Sequence, residues 1–214
     1  KKASGQVVLF DTCTPGVSGS TSGRMAFMFT SSGGVERLGF YTPGTSVISS
    51  ASGNISLNTW HHAVWTRTGS TLKLFLDGTE VHTRTFTDNL SLYQFHIGKD
   101  MASGGSSLFN GHLESTRIFL DDSIYPFLPE FKQLTTTNSV REGTTVTASN
   151  TKFIGVYDGS DADTVSGSES GNITVTAGSS ASTSTFAPYS SGGSVYFNGD
   201  AGPATSMAYT SSGT

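Results

Sequence analysis

The chain has one cysteine, Cys13, among its 214 residues. No internal disulfide can form, which excludes a small disulfide-held scaffold and any zinc site built on cysteine. Cys13 reads as a small apolar residue at a strand end. Charge is scarce too: 13% of residues are charged, against about a quarter in ordinary domains. Twelve Lys and Arg against 16 Asp and Glu leave a formal net charge of −4. No basic cluster exists to follow a phosphate backbone, so nucleic acid is set aside as a partner. No apolar run approaches the ~20 residues that cross a bilayer as a helix. The opening Lys1-Lys2-Ala3-Ser4-Gly5 lacks both an initiator Met and the apolar centre of a signal peptide, so a piece of a longer protein is expected. Prolines number only 6, whereas glycines number 26. No stretch of about 12 residues carries a helical stripe, which leaves an all-β chain of short strands and tight turns.

What is present is period-two alternation, clearest in the middle. Over residues 60–67, Trp60, His62, Val64 and Thr66 share one face; His61, Ala63, Trp65 and Arg67 share the other. Over residues 72–77, Leu72, Leu74 and Leu76 oppose Lys73, Phe75 and Asp77. Thr68-Gly69 and Asp77-Gly78 bound these runs and predict consecutive antiparallel strands joined by hairpins. Asp-Gly suits a type I′ turn, whose central residues both need positive φ. Upstream, strands are expected at 6–10, 25–30, 37–41 and 46–49, with turn-rich residues at 11–16 and 31–34. Downstream come 94–98 and 111–120. In the last of these, Leu113 and Ile118 have opposite parity, which predicts a β-bulge near Glu114 or Ser115. Residues 131–187 are rich in Ser, Thr and Gly, with weaker strands at 144–148, 153–157 and 172–176. Strand character returns at 193–200.

Five short motifs occur in order: Trp60-His61-His62-Ala63-Val64, Leu74-Phe75-Leu76-Asp77-Gly78, His96-Ile97-Gly98, Phe109-Asn110-Gly111-His112-Leu113-Glu114 and Arg117-Ile118-Phe119. This series resembles the laminin-G-like, concanavalin-A-like jelly roll, which reads W-x-H-x-A/V, L-x-x-Y-x-D-G, I-G, F-x-G-x-I-D-E and R-I-Y. The resemblance implies an antiparallel two-sheet sandwich with Trp60 in the core and structural roles for Asp77, Gly78, Gly98 and Gly111. The family's opening strand, of the form S-V-x-F-D/N-G, is missing before residue 6 but stands at Ser194-Val195-Tyr196-Phe197-Asn198-Gly199. Tandem repeats would explain this. Residues 1–128 are then a jelly roll lacking its front, 129–187 a connector, and 188–214 the opening strands of a second repeat. Residues 193–200 are expected to pair in a sheet, by closing 1–128 in one chain, by exchange between chains, or by starting a second sandwich. The connector also resembles inter-repeat linkers in virion proteins of tailed, especially marine, phages. That implies a virion-surface or extracellular location, with neighbouring copies or other surface proteins as partners.

Glycosidases of this shape carry two catalytic carboxylates two positions apart, because acid–base cleavage needs a carboxyl pair roughly 5–10 Å apart. Here Glu114 is followed by Ser115 and Thr116, and adjacent Asp121-Asp122 read as a solvated turn, so no catalytic role is expected. His61, His62, His82, His96 and His112 are too dispersed for a metal site. The resemblance raises calcium, which takes hard oxygen ligands on turns; Asp11, Asp88, Asn89 and Asp100 are the candidates. Trp65, Tyr41 and Tyr93 are candidate sugar-stacking aromatics. Asn54, Asn89 and Asn172 head glycosylation sequons, relevant only in a secretory pathway. The expected function is a non-catalytic structural and adhesion segment with weak binding of host-surface glycan. The alternatives are a purely architectural module, such as a capsid decoration or fibre subunit, and an accessory domain of a glycan-processing enzyme.

Overall fold

The computed structural model describes residues 7–13, 24–32, 35–42, 48–49, 55–87, 94–99, 109–113, 115–119, 151–156, 164–166, 173–177, 181–184, 194–198 and 207–211. Every regular element among them is a strand. The first half holds β1 (Val7–Cys13), β2 (Ala26–Ser32), β3 (Val35–Tyr41), β4 (Ile48–Ser49), β5 (Ala63–Thr68), β6 (Thr71–Leu76), β7 (Thr79–Thr85) and β8 (Gln94–Ile97). Then follow β9 (Asn110–Leu113), β10 (Ser115–Phe119), β11 (Thr151–Val156), β12 (Thr164–Ser166), β13 (Ile173–Ala177), β14 (Ala181–Ser184), β15 (Ser194–Asn198) and β16 (Met207–Ser211). A seven-stranded sheet has the order β13-β16-β8-β1-β2-β3-β4. Three smaller sheets are β5-β6-β7, β14-β15-β9 and β10-β11-β12. All pairings are antiparallel.

The core explains why the layers stack. β1, β2, β3 and β8 contribute Val7, Phe10, Phe27, Leu38, Phe40 and Ile97, joined by Met25. From the opposite layer come Leu72, Leu74, Leu76, Val81, Phe86 and Phe109, all in the same cluster. Leu38, Phe40, Leu72 and Leu74 are fully buried, each burial contributing roughly 1.5–3 kcal/mol. The result is a jelly-roll sandwich, as the alternation and the motif series predict. The Leu72/Leu74/Leu76 face goes inward, and Phe75 on the opposite face is buried as well.

Register then decides which tryptophan enters. Ala63 pairs with Leu76, Trp65 with Leu74 and Arg67 with Leu72; directly paired residues share a face. Trp65 therefore points inward, its ring 5.9 Å from that of Phe40, while Phe86 meets Phe40 edge-on at 5.4 Å. Arg67, beside them, lays its guanidinium 5.1 Å from the Phe86 ring centre and donates Nε–H to the Gly69 carbonyl. Trp65 is thus a core residue rather than a sugar platform. Trp60, expected in the core, precedes β5; it is partly buried, with its indole nitrogen covered.

Two further expectations are corrected. β1 does not stop at a turn before residue 11 but continues through Asp11 and Thr12, which are both fully buried. Pairing with β2 brings Asp11 opposite Ala26, near Arg24. Arg24 Nε–H and Nη2–H donate to the two carboxylate oxygens of Asp11 at 3.0 and 2.7 Å. Asp11 therefore faces a guanidinium, not a rim open to calcium. Arg24 also stacks 5.3 Å from the Tyr41 ring centre, and Thr12 accepts the Met25 N–H on its Oγ1 at 2.9 Å. Secondly, residues 111–120 are not one bulged strand. β9 belongs with β15, whereas β10 belongs with β11, so the slip of parity marks the place where the chain changes sheets.

The 193–200 pairing is present. β15 lies antiparallel to β9, with Val195 opposite Leu113 and Phe197 opposite Gly111. β16 lies antiparallel to β8, with Met207 opposite Ile97. Strands from both sides of the boundary expected at residue 128 thus share sheets. The weak strands expected near 153–157 and 172–176 correspond to β11 and β13; residues 144–148 lie outside the described residues, as do Glu114, Asp121 and Asp122.

Two measurements check this packing. Trp65→Ala removes a ring seated on Phe40 and should cost about 3 kcal/mol in urea unfolding, whereas Trp60→Ala should cost clearly less. His96, opposite Asp11 in the sheet, is pushed down to about 4, chiefly by burial and further by the Lys99 cation. Its folded-state value lies below its unfolded one, so the unfolded chain binds the extra proton between pH 6.5 and about 4. Stability should accordingly fall across that window by about 2 kcal/mol, after discounting for solvent screening. Urea midpoints at pH 7.5 and 4.5 should show that loss in the parent and a smaller one in His96→Gln.

Candidate functional site

The site is built on the segment that leads into β5. Ile55 packs on the core and its N–H donates to the Glu36 carbonyl at 3.1 Å, which anchors the segment to β3. A turn follows at Leu57 and Asn58, where Asn58 takes a φ of 58°, a conformation asparagine tolerates. Leu57 is 58% exposed. The chain then passes Trp60, His61 and His62 before pairing begins.

A hydrogen-bonded lock holds this segment to the next hairpin. Asp77 and Gly78 have φ of 51° and 80°, the two positive values that a type I′ turn demands. The turn places the Asp77 carboxylate back over the start of β5. One oxygen accepts the His62 N–H at 2.8 Å and the other accepts from His61 Nδ1 at 2.8 Å. The Asp77 N–H donates to the His62 carbonyl at 2.8 Å. His61 Nε2 lies 3.2 Å from both the nitrogen and the carbonyl oxygen of Ser56. The imidazole thereby links turn 57–58 to turn 77–78.

Beyond the lock lies an aromatic and imidazole pair. The Trp60 ring is half-buried, its centre 6.3 Å from the His112 ring with 58° between their planes. His112 stands on β9 opposite Tyr196 of β15. Burial pushes its imidazole below the ordinary range, which favours the neutral ring. Gly111 is needed beside it: a Cβ there would meet the Phe109 ring at 3.0 Å, and Phe109 is buried in the core. Gly98 ties β1 to the start of β9, donating its N–H to the Leu9 carbonyl and accepting the Phe109 N–H.

Three of the candidates named from sequence are among the described residues, and Arg24 joins two of them, Asp11 and Tyr41. Trp65 is in the core and Asp11 is held by Arg24. Tyr41 is half-buried against Val8, Ala26 and Met28. Tyr93, Asp88, Asn89 and Asp100 lie outside the described residues. Among the described residues no three His, Cys, Asp or Glu side chains gather as a metal cluster. Asp77 and Gly78 do hold the turn expected of them. Missed were the His61–Asp77 link and the Trp60–His112 pair. Only hairpin register joins the first, and the second unites residues from distant strands.

A sandwich of this topology, with an Asp-Gly hairpin locked to the preceding strand, defines a concanavalin A-like jelly roll. The sequence profile of the laminin G-type family in the concanavalin A-like lectin/glucanase superfamily matches residues 2–121. The chain belongs to that family. No curated protein and no solved structure matches it.

The lock is directly testable. Asp77→Ala removes two accepted hydrogen bonds and places a residue poorly suited to positive φ, so it should cost about 2–3 kcal/mol. Asp77→Asn keeps the turn and one acceptor and should cost about half as much, read from urea midpoints.

Proposed function

We propose that the chain is a non-catalytic carbohydrate-binding and structural module of a repeat-built virion or extracellular surface protein, which holds host-surface glycan weakly at Trp60 and His112. The observation that carries this reading is the half-buried indole beside an uncharged imidazole. Sugar rings offer C–H faces that pack on aromatic surface and hydroxyls that need fixed donors and acceptors. Trp60 supplies the first and His112 the second, and the Asp77 carboxylate, 41% exposed, stands on the adjoining turn. The bolted segment 55–62 keeps the indole in one orientation, which lowers the entropy lost on binding.

Hydrolysis finds little support. Of the four described carboxylates, Asp11 is buried on Arg24, Asp77 holds His61 and His62, and Glu80 meets Lys73 at 2.8 Å, while Glu36 stands on β3. The superfamily membership supports the binding or structural class; the virion setting rests on the linker resemblance.

Glycan-array screening of the full chain, followed by titration of the best ligand, tests this. Trp60→Ala should weaken binding at least about tenfold, while Tyr41→Phe should leave it unchanged. A parent chain that binds no glycan at several millimolar would overturn the reading in favour of a purely architectural module. Release of reducing ends that disappears in Glu114→Gln would overturn its non-catalytic part.

A further inference from the structure

We infer that the rim of the sandwich around turn Gly69-Ser70 is a binding site for an acidic saccharide, gripped through its sulfate or carboxylate groups by Arg67 and Arg84. The inference is independent of the glycan contact proposed above, since it uses neither Trp60 nor His112 and lies at the other end of β6. Register carries it. Arg67 pairs with Leu72, and Leu72 pairs with Arg84. Directly paired residues share a face, so the two arginines flank one fully buried leucine in a row across β5, β6 and β7. Neighbouring strands lie about 4.8 Å apart, which sets the two arginine Cα atoms roughly 10 Å from each other. Arginine side chains are long enough to meet one anionic group across such a gap.

The site is held in place by the fold. Arg67 stacks 5.1 Å from the Phe86 ring centre and donates Nε–H to the Gly69 carbonyl at 3.0 Å. Phe86 is itself buried and donates its N–H to the Ser70 carbonyl at 2.7 Å. The guanidinium plane is therefore set before a ligand arrives, which lowers the entropy lost on binding. Arg84 is exposed on β7, the outermost strand of its sheet. The turn between them faces open space, since a Cβ at Gly69 would meet nothing within 4 Å.

Charge is divided between the two ends of this sheet. Asp77 stands at the far turn, about 17 Å from Leu72 along the strand, beyond the screening length of about 8 Å at physiological salt. Glu80 is nearer but meets Lys73 at 2.8 Å. Among the described residues no carboxylate pairs with Arg84, and its cation adds to burial in holding the His82 imidazole below the ordinary range. The rim is thus locally positive although the chain carries a net charge of −4. A guanidinium fork matches the paired oxygens of a sulfate or carboxylate. The surroundings select the rest of the ligand. Thr68, Ser70, Thr71 and Thr85 are exposed around the turn and offer hydroxyls to other hydroxyls. Leu57, the exposed large apolar side chain among the described residues, is tied to the Asp77 end instead. A peptide finds no apolar anchor at this rim and no regular edge, because β7 is bulged against β6. A saccharide chain brings both charge and hydroxyls.

The full chain is titrated with dextran sulfate, polygalacturonate, uncharged dextran and poly-glutamate at low salt, followed by backbone amide NMR. An acidic polysaccharide should shift the amides of 67–71 and 83–86, and dextran should leave them unmoved; the sulfated and carboxylated probes separate the two anions. Arg84→Gln, at an exposed position, should keep the parent urea midpoint and weaken binding at least about fivefold, with Arg84→Lys, which keeps charge without the fork, falling between. Raising salt to about 300 mM should weaken the parent similarly. Lys73→Gln removes the same unit charge elsewhere on the sheet and should change binding less than about twofold. Trp60→Ala should leave it unchanged, so this site and the glycan contact fail separately. No amide shift with either acidic polysaccharide at millimolar acidic groups would overturn the site. An equal loss in Lys73→Gln would reduce binding to net charge and also overturn it. Poly-glutamate binding as tightly as the polysaccharides would sink the saccharide assignment.

Discussion

Everything described here depends on burying one leucine face against one aromatic face. Leu72, Leu74 and Leu76 project from β6 onto Leu38 and Phe40 and their neighbours in the seven-stranded sheet. The hydrophobic effect is non-directional, so it brings two faces together without choosing their register. The choice is made by the hairpins. With only two residues in each turn, β5 and β7 are held in fixed pairing with β6. Once β6 turns its leucines inward, Trp65, paired with Leu74, must follow.

Trp60 stands beside His112, ahead of the strand that carries Trp65. The position is held by polar bonds rather than packing, since Asp77 spends both carboxylate oxygens on the chain entering β5. A surface aromatic on a loose loop loses entropy when it binds, and one on a fixed segment loses less. The same bonds that start the hairpin therefore also fix the segment that carries the indole. Asp11 and Arg24 play a comparable part on the other sheet, where a buried charge persists only because its partner satisfies both oxygens.

The sheets are completed from far along the chain. β8 and β9 receive β16 and β15 rather than strands adjacent in sequence, and such non-local pairing closes late because large loops must close first.

The sequence by itself determined the class of structure and its local punctuation. Period-two leucines, Asp77-Gly78 and the motif series from Trp60 to Phe119 specify antiparallel hairpins in a jelly roll, because turn chemistry and alternation are local properties of the backbone. Val195 and Phe197 likewise announce a strand that needs a partner. Tertiary structure alone decided the rest. Alternation divides Trp60 from Trp65 but is symmetric between inside and outside, and only the stacking of two sheets breaks that symmetry. His61 meets Asp77, and Arg24 meets Asp11, across pairings whose register no single strand contains. Parity slips at residue 114 whether a strand bulges or changes sheets, and only the partners of β9 and β10 distinguish the two.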